Sequence, residues 1–433
     1  MKAVVTLTPS RWPRARGALA VVIVLLLALA ALLFLRPLST IHRASSGALE
    51  ASTPLLLAPV GEAPSSSLAV QHTELVLLDA RTGTARNRFT FSEPNEVIRG
   101  YLLPGGQQAL LLRAPLESNA TTYPSLELWR VSDWTVERSA PITPDIPPVR
   151  ILAAQHPATA GQTPTVLDVA SEPTGRWAAV AFRSLATPYP DGTRSQVVWV
   201  TALDLQTGEW APWAYALPSS QTVSLLALSD QILVLAHRLR TTTHHTVANL
   251  VSLDPRNGTV LAELPLESWS VQAKPLGENP SGRQNTFSTA LTPQLWNNRL
   301  LIVTDDLELF IIDPRKLRLV EHRPPLADRL VVSGRPYLIG DLLVLMGQSL
   351  WVLDVSNWRV MTTFPLPTIP EGNWLLVGVD TKQRTAFLIN TKEGCLRNLD
   401  LSSGTLSGSL HCNLALDYPA PLFGWPAFMT GEP

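Results

Sequence analysis

One unit recurs along this chain and restricts its fold more than any other feature. It is a strand, an Asp at its end, three turn residues, a Gly, and a second strand. Leu250–Leu264, LVSLDPRNGTVLAEL, shows it most clearly. The Asp position is filled in turn by Asp79, Arg130, Asp204, Asp254, Asp313, Asp354 and Asp400. Four residues later stand Gly83, Trp134, Gly208, Gly258, Leu317, Trp358 and Gly404. A carboxylate in the first position accepts hydrogen bonds from backbone N–H groups just ahead of it, an Asx-turn. Glycine in the second supplies the positive φ that a tight reversal needs. Where Trp or Leu replaces it, a different turn type is expected.

Successive Asp positions are separated by 41 residues at the shortest, 313 to 354, and by 74 at the longest, 130 to 204. Blades of four strands commonly repeat at ~40–50 residues. Two further apolar runs precede each unit, as in VLDVASEP and RWAAVAF, or WLLVGVD and TAFLIN. Such runs suit strands covered on both faces by neighbouring sheets. No 3.6-residue apolar period survives beyond residue 40. The expectation is an all-β protein: a seven-bladed β-propeller of four-stranded antiparallel blades over residues 54–412, with no helix in it. The long interval holds a Pro- and Ala-rich insert, Thr143–Pro164; a strand at VRILAAQ, and with it a degenerate eighth blade, is the lesser alternative to seven.

The units resemble the YVTN-type, quinoprotein-like and WD40-like propeller superfamilies, best in LWVLDVSNWRVMTTFPLP and ALDLQTGEW. The resemblance implies the architecture and no site residues. The quinoprotein pattern places Trp four residues after the turn Gly, whereas Trp210 follows Gly208 by two. No Trp-Asp pair closes a third strand, as WD40 repeats usually have.

Gly17–Leu35, GALAVVIVLLLALAALLFL, carries no charge. At ~1.5 Å per residue it is roughly long enough to cross a ~30 Å hydrocarbon core. Its length, and the Arg36-Pro37 that follows, favour a retained transmembrane helix over a cleaved signal. Lys2, Arg11, Arg14 and Arg16 precede it. The positive-inside rule then puts residues 1–16 in the cytoplasm, residues 36–53 outside as a linker, and the propeller beyond them. A net charge of −1 offers no basic face for nucleic acid.

In four-stranded blades the turns joining first to second and third to fourth strands share one face. Here those turns are short. Connections on the other face are long in blades two to five: Ala114–Ser125, Thr143–Pro164, Ser184–Ser195, His237–Thr246 and Glu267–Thr289. Long loops on a rigid scaffold are where function concentrates. The residues expected to make contact there are Tyr123, Tyr189, Asp191, His244, His245 and Trp269. The same loops also read as tolerated surface insertions. His244-His245 is a weak chelating pair, because neighbours on a strand point to opposite faces; as loop histidines they read as solvated. His156 and His322 stand isolated. Trp129, Trp134, Trp199, Trp351 and Trp358 lie in or beside strands and read as packing between blades.

Cys395 and Cys412 are the only two cysteines. If Leu401 faces Leu406 across the last hairpin, the two cysteines also face each other, within disulfide range. A register shifted by one leaves two separate thiols. Asn413–Pro433 is apolar and proline-rich. It reads either as a cover over the junction of first and last blades or as a loose tail.

No catalytic set, phosphate loop or metal spacing stands out, and no cofactor is expected. The function expected is a membrane-anchored, extracytoplasmic binding or scaffold module for an unknown protein or extracellular ligand. The alternative is a quinoprotein-like or propeller-hydrolase enzyme with a metal or cofactor in the central channel.

Overall fold

Seven antiparallel sheets follow one another along the chain in the computed structural model. It describes residues 54–62, 71–90, 96–103, 105–115, 123–188, 194–217, 220–238, 247–267, 293–304, 307–326, 335–369, 373–414 and 427–429. The chain divides into two units, Met1–Ile41 and His42–Pro433. All described residues belong to the second. The Gly17–Leu35 segment lies outside them, and no helix among them is long and apolar enough to cross a membrane.

The seams between sheets establish the ring. Seven apolar clusters form, each shared by two neighbouring sheets. Leu57, Leu77 and Phe89 of the first blade meet Trp129 and Trp134 of the second. Phe182 and Trp199 of the third meet Leu110 and Leu128 of the second. Three more seams join the third to the fourth, the fourth to the fifth and the fifth to the sixth. The sixth meets the seventh, and Leu56 and Val76 of the first meet Phe387 and Ile389 of the seventh, closing the circle. The middle strands are apolar on both faces because each sheet is covered on both sides, whereas outer strands such as Thr135–Pro141 and Arg318–Arg323 are largely exposed.

Closure uses both ends of the described chain. The first blade runs Ala427–Met429, Leu55–Glu62, Gln71–Asp79, Ala85–Thr90 from the inside out. Its inner strand thus comes from the C-terminal stretch, with Leu57 opposite Ala427. Ring closure removes the open edge that a last sheet would otherwise present.

Seven sheets, the expected number, are present among the described residues, and the lesser alternative of a strand at VRILAAQ is set aside. Several expectations are corrected. Pro147–Gln155 is an α-helix, followed by a 3₁₀ turn at Pro157–Thr159. Two prolines open it, which suits N1 and N2 because those N–H groups have no helical partner. Ile146, Val149 and Leu152, spaced by three, sink into the seam of blades two and three. The Thr143–Pro164 insert is therefore core packing in part, not a free loop. The seventh blade has three regular strands. Its fourth position is held by the isolated bridges Leu399↔Leu406 and Leu396↔His411.

The turns without glycine need no different geometry. Trp134, Leu317 and Trp358 have φ of 53°, 42° and 46°, the left-handed conformation of the glycines they replace. A bulky residue there is strained by roughly 1–3 kcal/mol. All three side chains are buried in a seam, and that burial outweighs the strain.

Candidate functional site

The repeated Asp is committed to its own turn. Asp204 Oδ1 accepts the N–H groups of Gln206 and Thr207 at 2.8 and 2.9 Å. Asp254 accepts that of Arg256 at 2.8 Å, and Asp313 those of Arg315 and Lys316. At Asp400 the N–H groups of Ser402 and Ser403 hold the carboxylate below its usual range. In the second blade, where Arg130 stands instead, Asp133 takes over by capping Thr135.

Folding the backbone this way leaves the carbonyls just after the Asp without a ladder partner, and buried carbonyls require one. The neighbouring blade supplies it. Asn87 Nδ2 donates to Val131 O at 2.6 Å, and Arg138 Nε to Gln206 O at 2.8 Å. Trp213 Nε1 donates to Pro255 O at 3.1 Å, and Gln231 Nε2 to Pro314 O at 3.1 Å. Arg323 Nη1 donates to Val355 O at 2.9 Å, and across the closing seam Asn398 Nδ2 donates to Arg81 O at 2.9 Å. Between blades six and seven the Phe364 ring packs on Gly404, where a Cβ would come within 3.0 Å. The short-turn face is thus a circle of latches. The closing seam adds Arg81 Nε to the buried Asp380 at 2.6 Å, and His411 Nδ1 lies 3.1 Å from Gly83 O.

Of the residues expected to make contact on the long-loop face, Tyr123 is described and is 46% exposed, directly before the third strand of the second blade. Tyr189, Asp191, His244, His245 and Trp269 lie outside the described residues. His322, read as isolated, is not: its Nε2 lies 2.6 Å from Oε1 of the fully buried Glu308, and its ring packs against Phe310. The pair is 14 apart in sequence and meets because its strands are neighbours. Of the strand tryptophans, Trp129, Trp134, Trp199 and Trp358 are buried. Phe182 stacks on Trp199 with ring centres 4.4 Å apart.

Sequence reading missed two polar groups on the inner strands. Asp168 sits at a bulge in Thr165–Ser171, the inner strand of blade three. Its Oδ2 accepts the N–H of Leu225, on the inner strand of blade four, at 2.7 Å. Its Oδ1 accepts Val169 N–H at 2.9 Å. Burial pushes this carboxyl up to about 7, against the pull of the two N–H groups and of the Arg335 charge. Tyr337 is likewise raised by burial to about 12, and its hydroxyl donates to Val377 O at 2.5 Å, linking inner strands of blades six and seven. Both polar groups staple neighbouring blades.

A pH dependence follows. The folded chain holds the Asp168 proton more tightly than the unfolded chain, whose value is near 3.8. Its contribution to stability is therefore full below about pH 4, declines between about 4 and 7, and is gone above that. Three units at ~1.36 kcal/mol each set an upper bound of about 4 kcal/mol. Urea midpoints at pH 5 and pH 8 should differ in the native chain and converge in Asp168→Asn. A difference undiminished in that variant would assign the effect elsewhere.

A cleft lies on the latching face between blades three and four, beside the Trp213–Pro255 latch. Its volume is about 570 Å³. Arg176 and Trp177 line it from one turn, Asp204 and Glu209 from the next, and Asp230, Asp254 and Arg256 from blade four. The cause is local. In blade four the outer strand starts at Val260, soon after Asp254, but in blade three it starts only at Tyr215, well past Asp204. Trp210 turns into one seam and Trp213 into the other. Trp210 and Ala211 still pair with Leu203 and Ala202, and the chain bulges between them and Tyr215, which pairs with Val200.

No family model matches this sequence, and no curated protein does. Among solved structures the chain is similar to BamB from Moraxella catarrhalis, at 12% identity and a TM-score of 0.39, over 72% of this chain and 84% of that one. It is also similar to the β-propeller domain of Cps50 (Swd1) from Myceliophteria thermophila, at 13% and 0.45, over 77% and 91%. A third similarity is to the dihydro-heme d1 dehydrogenase NirN in complex with DHE, at 11% and 0.42, over 88% and 78%. The chain is a seven-bladed β-propeller. Its seven sheets, and the seam that joins the seventh to the first, make it one.

Among the described residues no group of three His, Cys, Asp or Glu side chains is placed to hold a metal ion. The structure joins Cys395 to Cys412, with Cα atoms 4.0 Å apart. The register at the cysteines is the expected one, and it differs only next to the turn. Leu399, not Leu401, faces Leu406, and two extra residues on the outer side then bring Leu396 opposite His411.

Proposed function

We propose that this propeller is a binding scaffold held outside the cytoplasm by a membrane helix at Gly17–Leu35. The disulfide between Cys395 and Cys412 carries this reading, since such bonds persist in oxidising compartments. The charge-free segment preceded by Lys2, Arg11, Arg14 and Arg16 supports the same orientation. The latched ring supplies a rigid platform, and the long connections of blades two to five supply the variable surface that a protein partner would meet. The inner-strand groups Asp168 and Tyr337 are engaged in stapling blades, which supports binding over chemistry in the channel.

Crosslinking in native membranes, followed by mass spectrometry, tests this. The wild-type chain is expected to yield a reproducible partner. The yield should fall at least tenfold when Tyr189–Thr193 is replaced by a Gly-Gly turn and residues 268–289 are removed. Recovery unchanged by both alterations would refute the assignment of the partner to that face. A stoichiometric metal, or cofactor absorbance in the purified chain, would favour the enzyme alternative.

A further inference from the structure

We propose that His411 is an acid-sensitive pin in the closing seam. Protonation of its imidazole frees the outer position of blade seven from blade one, while the rest of the ring stays shut. This device does not depend on the membrane helix or on the long-loop face.

The pin sits in the outer position of blade seven, where no regular strand forms. The bridges Leu399↔Leu406 and Leu396↔His411 tie that stretch to its own sheet. Leu396 N–H donates to His411 O at 2.7 Å, and Leu410 N–H to Leu396 O at 2.9 Å. On its other side the stretch touches the glycine turn of blade one. Leu410 packs so closely on Gly83 that a Cβ there would come within 2.6 Å of the Leu410 carbonyl oxygen. His411 Nδ1 lies 3.1 Å from Gly83 O. A carbonyl oxygen only accepts, so Nδ1 carries the hydrogen of the neutral ring. Cys412, the next residue, is bonded to Cys395, which limits an opening to the stretch before it.

The surroundings hold no counter-charge for a second proton. Blade one brings Arg81, Arg86 and Arg88 from this turn and the strand after it, and each has its own carboxylate. Arg81 pairs with Asp380 at 2.6 Å, Arg86 with Asp79 at 2.7 Å and Arg88 with Glu74 at 3.4 Å. On blade seven, Arg397 pairs with Glu393 at 3.3 Å, and Asp400 Oδ1 accepts the N–H groups of Ser402 and Ser403. Among the described residues no carboxylate forms an ion pair with His411. A charged imidazole would thus be half-buried and uncompensated beside Arg88, which is costly. Burial, with the Arg88 charge, holds the imidazole below its ordinary value of 6.5, against the pull of the Gly83 carbonyl. The folded chain therefore holds this proton less tightly than the unfolded chain. The pin's contribution is full above about pH 6.5 and is lost as the pH falls through the lower folded value. Asp168 acts with the opposite sign in the seam of blades three and four, so location separates the two.

Hydrogen exchange of the full-length chain in detergent, with the disulfide intact, is compared at pH 7.5 and pH 5, after correction for the intrinsic pH dependence of exchange. Protection at residues 407–411 and 81–84 is expected to fall roughly threefold to tenfold on acidification, since each pKa unit carries a factor of ten. Protection in blades three and four is expected not to fall. His411→Asn keeps an N–H for Gly83 O but cannot be charged, and it is expected to abolish the response with protection at pH 7.5 unchanged. Arg88→Gln, an exposed change, is expected to reduce the response with an unchanged Tm at pH 7.5. If His411→Asn is loose at both pH values, Arg88→Gln decides, and a full response in it refutes the pin. The proposal is overturned if protection at both stretches is independent of pH, or if His411→Asn keeps the full response. It is equally overturned if protection falls evenly around the ring.

Discussion

Trp358→Gly, which restores the repeat's own turn residue, should destabilise the ring by about 2–4 kcal/mol. Turn chemistry alone predicts the reverse. Trp358 has φ of 46°, and glycine there relieves strain of roughly 1 kcal/mol or more. The side chain, however, is 6% exposed in the seam of blades five and six, packed with Leu309, Leu345 and Leu353. Its indole N–H donates to Pro324 O at 3.2 Å. Truncating a buried Trp typically costs about 3–5 kcal/mol, more than the relief. Leu317→Gly, in the seam of blades four and five, should follow the same sign with a smaller size. Urea denaturation of the three proteins decides this. A rise in midpoint for Trp358→Gly would show that backbone strain, not seam packing, dominates at these turns.

Removing the disulfide should have an effect of similar size and a specific location. The two cysteines are 17 residues apart, and closing a loop of that length stabilises by about 3 kcal/mol through the unfolded chain. The outer position of the last blade has no regular ladder; two bridges hold it, with bonds such as Ser407 N–H to Asn398 O, Leu410 N–H to Leu396 O and Leu396 N–H to His411 O. This stretch also carries His411, which contacts Gly83 of the first blade. Cys395→Ala/Cys412→Ala is therefore expected to unfold at a lower urea concentration. Hydrogen exchange should rise first at Ser407–Leu414 and at the Arg81–Thr84 turn, while blades three and four stay protected. An unchanged midpoint, or a loss of protection spread evenly around the ring, would contradict this.

The ring was legible in the sequence because its repeat is local chemistry. An Asp capping the N–H groups two and three residues ahead needs no tertiary partner, so it shows in LDPRNG and LDLQTG alike. Apolar runs on both sides of each unit then imply sheets covered on both faces. What escaped depends on partners remote in sequence. Asn398 latches Arg81 from 317 residues away. Asp168 looked like an ordinary strand acid until Leu225 was placed beside it. The β-branched Val149 and Ile151 made VRILAAQ resemble a strand, although the Pro-Pro before it and the spacing of Ile146, Val149 and Leu152 carry the helix signal. Trp134 and Trp358 looked incompatible with a glycine turn because strain was weighed without the seam burial that offsets it. The cleft lies beside the bulge between Ala211 and Tyr215, and the Trp-rich EWAPWAY gives no sign of where that bulge falls.

Residues from the two ends of the described chain share one sheet and so close the ring. Leu57 and Ala427 stand opposite each other in that sheet. Cysteines placed at both positions, oxidised in the full-length chain and mapped by peptide mass spectrometry, are expected to form one bond within a single molecule. Free thiols at both positions, or bonds only between molecules, would show that the ring is not closed in this way.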